Sequence, residues 1–163
     1  MKLFGTLTAI LLLLAVSSSA QDKTFTFKGK VHAYGETVKD AIIEVYDAGD
    51  LVYEITSKGG GKFEFELKPE RQYMVEVSME GLRTKTIWIN TKRTQQLKYK
   101  IPTFGFDVHL KKDKITPYDE LSEIPVTLIK FQPKKKGFYM DKTYENALKN
   151  KKRSIKENGL QMR

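Results

Sequence analysis

The stretch TSKGGGKFEFEL at residues 56–67 places three glycines and a lysine ahead of an alternating apolar and charged run. A glycine-rich loop that ends in lysine can cradle phosphate. A P-loop requires Gly-x-x-x-x-Gly-Lys-Ser/Thr, so that amides surround the phosphate and a hydroxyl reaches the magnesium ion. Here Gly61-Lys62 is succeeded by Phe63, so the hydroxyl is missing. The run KFEFEL has the period of a strand, so no helix N-terminus faces an anion. A dinucleotide loop fails for the same lack of a helix. The glycines therefore read as a hairpin turn, where positive φ is needed, and Lys62 as incidental.

Other residues that could do chemistry lack partners in sequence. The chain has no cysteine, and its two histidines are His32 and His109. Each occupies an outward strand position, and the two read as unrelated surface residues. A buried zinc site needs three or four converging ligands, so no metal is expected. Asp47 and Asp50 in YDAGDL could hold calcium, but two carboxylates are too few and aspartate is also a turn former. Ser57, Ser78 and Ser122 lack a nucleophile elbow. Glu64 and Glu66 lie side by side on one strand face, whereas a glycosidase needs carboxyls across a cleft. No catalytic residue and no cofactor is expected, and the chain reads as not an enzyme.

Charge is placed unevenly. Residues 21–132 hold 18 Lys/Arg against 17 Asp/Glu, and residues 133–163 hold 10 against 3. The basic end offers one candidate contact set for anions: Lys134, Lys135, Lys136, Lys149, Lys151, Lys152, Arg153 and Lys156. Phe138, Tyr139 and Tyr144 are interleaved with it. Such runs can bind phosphate-rich polymers or remain a solvated face. Nucleic acid is not the expected partner of an exported chain. Anionic lipid headgroups or lipopolysaccharide would be available to it.

Export is expected from residues 1–20, MKLFGTLTAILLLLAVSSSA. They combine Lys2, an uncharged apolar run, and Ser18 and Ala20 before a cut at Gln21, the three-part pattern of a signal peptide. The apolar run is short for a span, and no later segment is apolar enough, so the mature chain is expected to have no transmembrane span. The expected location is periplasmic or extracellular. Without disulfides, the domain must be held by packing alone.

The body alternates with a period of two. FTFKGKVHA (25–33) turns Phe25, Phe27, Val31 and Ala33 to one face, with Gly29 marking a bulge or close approach. Further along come AIIEVYD (41–47), LVYEITS (51–57), KFEFEL (62–67), QYMVEVSM (72–79), LRTKTIWI (82–89) and FGFDVHL (104–110). LRTKTIWI alternates least cleanly. Seven short strands with turns at close spacing predict an all-β sandwich. Residues 111–125 read as a polar linker or surface loop. VTLIKF (126–131) and FYMD (138–141) predict a C-terminal hairpin at the sandwich edge. Asp141 can cap a helix with a thin stripe of Tyr144, Leu148 and Ile155, stopped at Asn158-Gly159. That segment is expected to be short, frayed or disordered. The organisation is thus a signal peptide at 1–20, a sandwich at 22–111, a loop and hairpin at 112–141 and a basic tail at 142–163.

Several of these pieces together resemble the carboxypeptidase regulatory-like domain, a transthyretin-like seven-stranded β-sandwich. The resemblance rests on Gly29-Lys30-Val31, Thr56, Gly61-Lys62-Phe63-Glu64-Phe65 and Tyr73-Met74-Val75-Glu76-Val77. Ser57 stands where aspartate is usual, Val38 and Asp40 where proline and glycine are common, and Leu82 in place of tyrosine. It spans residues 24–90. It implies the fold, an exported setting often in a Gram-negative envelope, and no catalytic residues. The expected function is a non-catalytic module for protein–protein or cell-envelope interaction. The alternative is a carbohydrate or small-ligand binding module, with Trp88, Tyr34, Tyr46 and Tyr53 as candidate stacking residues.

Overall fold

The computed structural model describes residues 24–93, 99–112 and 124–161, with side chains in the last helix described through Glu157. The expected signal peptide lies outside the described residues, as does most of the expected linker. The fold is a sandwich of two mixed β-sheets with one C-terminal helix.

The first sheet is organised around β1 (Phe25–Ala33). Strand β5 (Lys62–Leu67) runs antiparallel along one side of β1, with Phe27 opposite Phe65. Along the other side lie β9 (Phe104–Gly105) and then β10 (Val108–Lys112), both parallel to β1. Short strands β2 (Glu36–Thr37) and β7 (Leu82–Arg83) complete this sheet. The second sheet has six strands in the order β12 (Gly137–Met140), β11 (Thr127–Gln132), β8 (Lys85–Asn90), β6 (Gln72–Ser78), β3 (Ile42–Asp47) and β4 (Asp50–Thr56).

Alternation sends one side chain in two to the interior. Phe27, Val31, Ile43, Val45, Val75, Val77, Ile89 and Ile129 are fully buried. Phenylalanine rings fill the interior: Phe27 lies 5.8 Å from Phe65 within the first sheet and 4.9 Å from Phe138 of the second. Each such side chain contributes roughly 1.5–3 kcal/mol by leaving water. The hairpin is thus part of the core, because β11 pairs in parallel with β8.

Gly29 is a close approach. A Cβ there would sit 1.7 Å from the carbonyl oxygen of Phe106. At this point the neighbour of β1 changes from β9 to β10. The Lys28 carbonyl accepts from the Phe106 N–H, and the Asp107 carboxylate accepts from the Lys30 N–H at 3.0 Å.

Three expectations need correction. The glycines of 59–61 do not close a hairpin, because β4 and β5 belong to different sheets. They carry the chain from one sheet to the other in a tight turn, with Gly60 and Gly61 at positive φ. The segment 82–89 is not one strand: Arg83 pairs with Lys111 in the first sheet, and Lys85 with Val77 in the second. That crossing explains the broken alternation. Finally, the helix is neither short nor stopped at Asn158-Gly159. Helix α1 spans Lys142–Gln161. Asp141 caps it, accepting from the Thr143 and Tyr144 N–H groups. The Tyr144 hydroxyl donates to the Pro125 carbonyl at 2.7 Å, and Thr127 donates to Glu145 at 2.9 Å. A single glycine costs a helix about 1 kcal/mol, too little to end one that is capped and docked.

Candidate functional site

The outward face of the second sheet carries an apolar strip in strict register. Tyr46 pairs with Met74, Met74 with Trp88, and Trp88 with Leu128, across β3, β6, β8 and β11. Their chain neighbours Val45, Tyr73, Val75, Ile87, Ile89 and Ile129 are buried, so the strip itself must face solvent. Trp88 is 49% exposed. A shallow cleft of about 340 Å³ lies over Tyr46, Met74, Trp88 and Leu128, with Gln72, Asn90 and Lys130 along its rim.

Polar rows flank the strip on both sides. On one side Glu54, Glu44 and Glu76 stand opposite one another on adjacent strands. Like charges facing across strands are destabilising, so this row is not explained by sheet stability. Partial burial, and then the Glu44, Glu76 and Glu54 carboxylates, raise the Tyr46 phenol above its ordinary pKa. On the other side Gln72, Asn90, Lys130 and Tyr139 form a row. The Lys130 ammonium donates to Asp141 at 2.8 Å, so its charge is largely answered. That bond holds the lysine pKa up and the Asp141 pKa down.

The first sheet presents a different surface. A larger cleft of about 880 Å³ touches Lys28, Lys30, Lys58 and Lys62 together with Glu64 and Asp107. Lys62 is therefore one of four lysines drawn together from two chain segments, β1 and the glycine turn. Ser57, beside that turn, is structural: its buried hydroxyl accepts from the Ala41 N–H and donates to the Val38 carbonyl. The two histidines, expected to be unrelated, are neighbours. Parallel pairing of β1 with β10 puts His32 beside His109, with rings stacked 4.6 Å apart. His32 Nε2 lies 3.3 Å from Asp107. Among the described residues no group of three or more His, Asp or Glu side chains could hold a metal ion. The Asp47 carboxylate is engaged by Arg71 at 3.0 Å.

The basic residues fall on two elements. Lys134, Lys135 and Lys136 form the turn of the β11–β12 hairpin, where Lys135 lies over the Tyr139 ring. Lys149, Lys151, Arg153 and Lys156 are exposed on α1. Lys152 is half-buried on the docked side of the helix, and burial together with Arg83 and Lys111 lowers its pKa. Lys85 is lowered in the same way, by burial first and then by Lys111 and Lys152.

Of the four candidate stacking residues, Trp88 and Tyr46 share the strip. Tyr34 stands alone at a turn, 78% exposed, and Tyr53 lies on the edge strand β4. Sequence reasoning misses Met74 and Leu128. Their signal is an apolar residue at an outward position of an alternating strand.

No protein-family model and no curated protein matches the chain. Solved structures match in shape. A 3-chlorocatechol 1,2-dioxygenase from Rhodococcus opacus 1CP gives a TM-score of 0.43 at 12% identity, over 59% of this chain and 62% of that one. The Bacillus anthracis TIE protein gives 0.43 at 14%, over 55% and 17%. BcpA, the major pilin subunit of Bacillus cereus, gives 0.41 at 10%, over 56% and 29%. The chain spans less than two thirds of the length of each. What they share with it is the β-sandwich fold alone. The expectation that the chain is not an enzyme is corrected here. Sandwiches of this shape include dioxygenases as well as pilins, so neither the fold nor the lack of a sequence motif assigns the chain to a non-catalytic class.

Proposed function

We propose that the chain is an extracytoplasmic interaction module, akin to the carboxypeptidase regulatory-like domains, that engages a cell-envelope partner through the outward face of its second sheet. The observation that carries this reading is the registered strip with Trp88 half exposed at its centre. A large aromatic on a well-formed sheet face contributes more as a binding anchor than as a surface filler. Among the described residues no helix is long and apolar enough to cross a membrane.

Retention on isolated envelope fractions tests the reading. Trp88→Ala should lower retention at least tenfold, while Lys28→Ala on the opposite sheet leaves it unchanged. Equal retention of the Trp88 variant and the parent would overturn it. The export component has its own test: the secreted form should begin at Gln21 by mass spectrometry.

A further inference from the structure

We infer that the strip on the second sheet binds a neutral, equatorially linked polysaccharide chain. This occupant presupposes that the outward face of that sheet is the contacting surface.

A pyranose ring with equatorial substituents is apolar on its C–H faces and polar around its edge. The strip has the complementary layout. Its floor is Tyr46, Met74, Trp88 and Leu128, and its two borders are a carboxylate row and an amide-bearing row. Carboxylates accept hydrogen bonds from sugar hydroxyls, and the side-chain amides of Gln72 and Asn90 can both donate and accept. Sites of this kind, with an apolar floor and a few directed polar groups, suit small or extended ligands. Spacing agrees as well. Tyr46 and Trp88 are two strands apart, about 10 Å at the usual strand separation, roughly one disaccharide along an extended chain.

Charge narrows the choice. Glu44, Glu54 and Glu76 border the floor, and the cation at the rim, Lys130, is already bonded to Asp141. An anionic lipid surface or a nucleic acid would place its phosphates against three carboxylates. A protein partner would need about 800 Å² per side for a standard interface, more than the strip alone supplies. A neutral sugar chain meets neither obstacle.

Trp88 is the one tryptophan in the chain, so the unmodified protein reports on its own site. Cellohexaose, xylohexaose and mannohexaose are titrated into the full chain and tryptophan emission is followed. At least one should shift emission to the blue and protect Trp88 from acrylamide quenching at least twofold. Trp88→Ala should abolish the heat of binding in calorimetry, and Trp88→Phe, which keeps a ring, should retain it within about tenfold. No emission change and no heat with any of the three would overturn the sugar assignment. If envelope retention still depended on Trp88 in that case, the contacting face would stand and its partner would be a protein. If retention did not depend on Trp88, the face itself would be wrong.

Discussion

On the first sheet, the side chains turned to solvent are Thr26, Lys28 and Lys30 of β1, opposite Glu66, Glu64 and Lys62 of β5. On the second sheet, a row in the same kind of position reads Tyr46, Met74, Trp88 and Leu128. Both faces rest on buried aliphatic and aromatic layers, and both obey the same alternation. The first face has the make-up of a solvated surface: it is polar or charged at every one of these positions, with Lys28 across from Glu64 and Lys30 across from Lys62, Thr24 bonds Glu66 at 2.7 Å, and exposed pairs contribute little to stability. The second face departs from that polarity. It exposes large apolar side chains and lines up like charges beside them. A surface that forgoes the easy arrangement where its neighbour uses it points to a constraint other than folding.

A change to the shared interior should erase the difference between the faces altogether. Phe27 touches Phe65, Phe104 and Phe138. Phe27→Ala should cost about 3–5 kcal/mol in chemical denaturation, and both faces should lose their order together. Removing residues 133–163 should be comparably damaging, because it deletes β12 and Phe138 along with the basic residues. Tail charge is therefore better tested by reversing Lys149, Lys151, Arg153 and Lys156 on the exposed side of α1. If those residues contact an anionic surface, that variant should lose vesicle binding in low salt with its fold intact. Trp88→Ala separates the faces more cleanly. Its stability should stay within about 0.5 kcal/mol of the parent, while binding through the second sheet is lost. A large stability loss on its own would show that Trp88 is a packing residue.

Much of this architecture is legible in the chain. The inward set Phe25, Phe27, Val31, Phe63, Phe65, Val75 and Val77 follows from alternation, and all seven are buried. Asp141 is legible as a helix cap because Ser, Thr, Asp and Asn satisfy the first free amides of a helix. What alternation does not carry is which strands pair. It assigns His32 and His109 to outward positions correctly, yet only the parallel pairing of β1 with β10 stacks them. The same holds for the lysine cleft, whose members lie on separate segments and each read as a solvated residue alone. The aromatic strip is half legible. Trp88 and Tyr46 stand out by type, but Met74 and Leu128 join them only through register.

Asp141 sharpens the boundary of the second face, because it both caps α1 and holds Lys130 at the rim. Its pKa is lowered by the Lys130 hydrogen bond first, then by the Tyr144 amide. A depressed carboxylate pKa means stability that is fully present above the ordinary Asp value and lost as pH falls through the lower folded value. Helical ellipticity should therefore drop on acidification below about pH 4 in the parent. Asp141→Ala should already show the reduced signal at neutral pH, at a cost of about 1 kcal/mol. A variant whose helix signal matched the parent from neutral to acid would remove Asp141 from the account.

Where the two sheets exchange the chain at 82–90, the smallest effect has the opposite sign. Lys85 begins β8 just after the crossing and is partly buried, and its pKa is lowered by burial first, then by Lys111 and Lys152. Protonated, it is disfavoured in the folded state, so this position costs stability at neutral pH. Lys85→Met keeps the length and apolar stem and removes the charge. The change should stabilise the chain, with solvent screening at a partly open site holding the gain under about 1 kcal/mol. Thermal unfolding at neutral pH measures it, and the gain should shrink as pH rises toward the ordinary lysine value, where the parent loses the same proton. A destabilised Lys85→Met protein would show instead that the ammonium has a favourable role at the crossing, and that the cation cluster beneath α1 belongs with the structural charges of the first face.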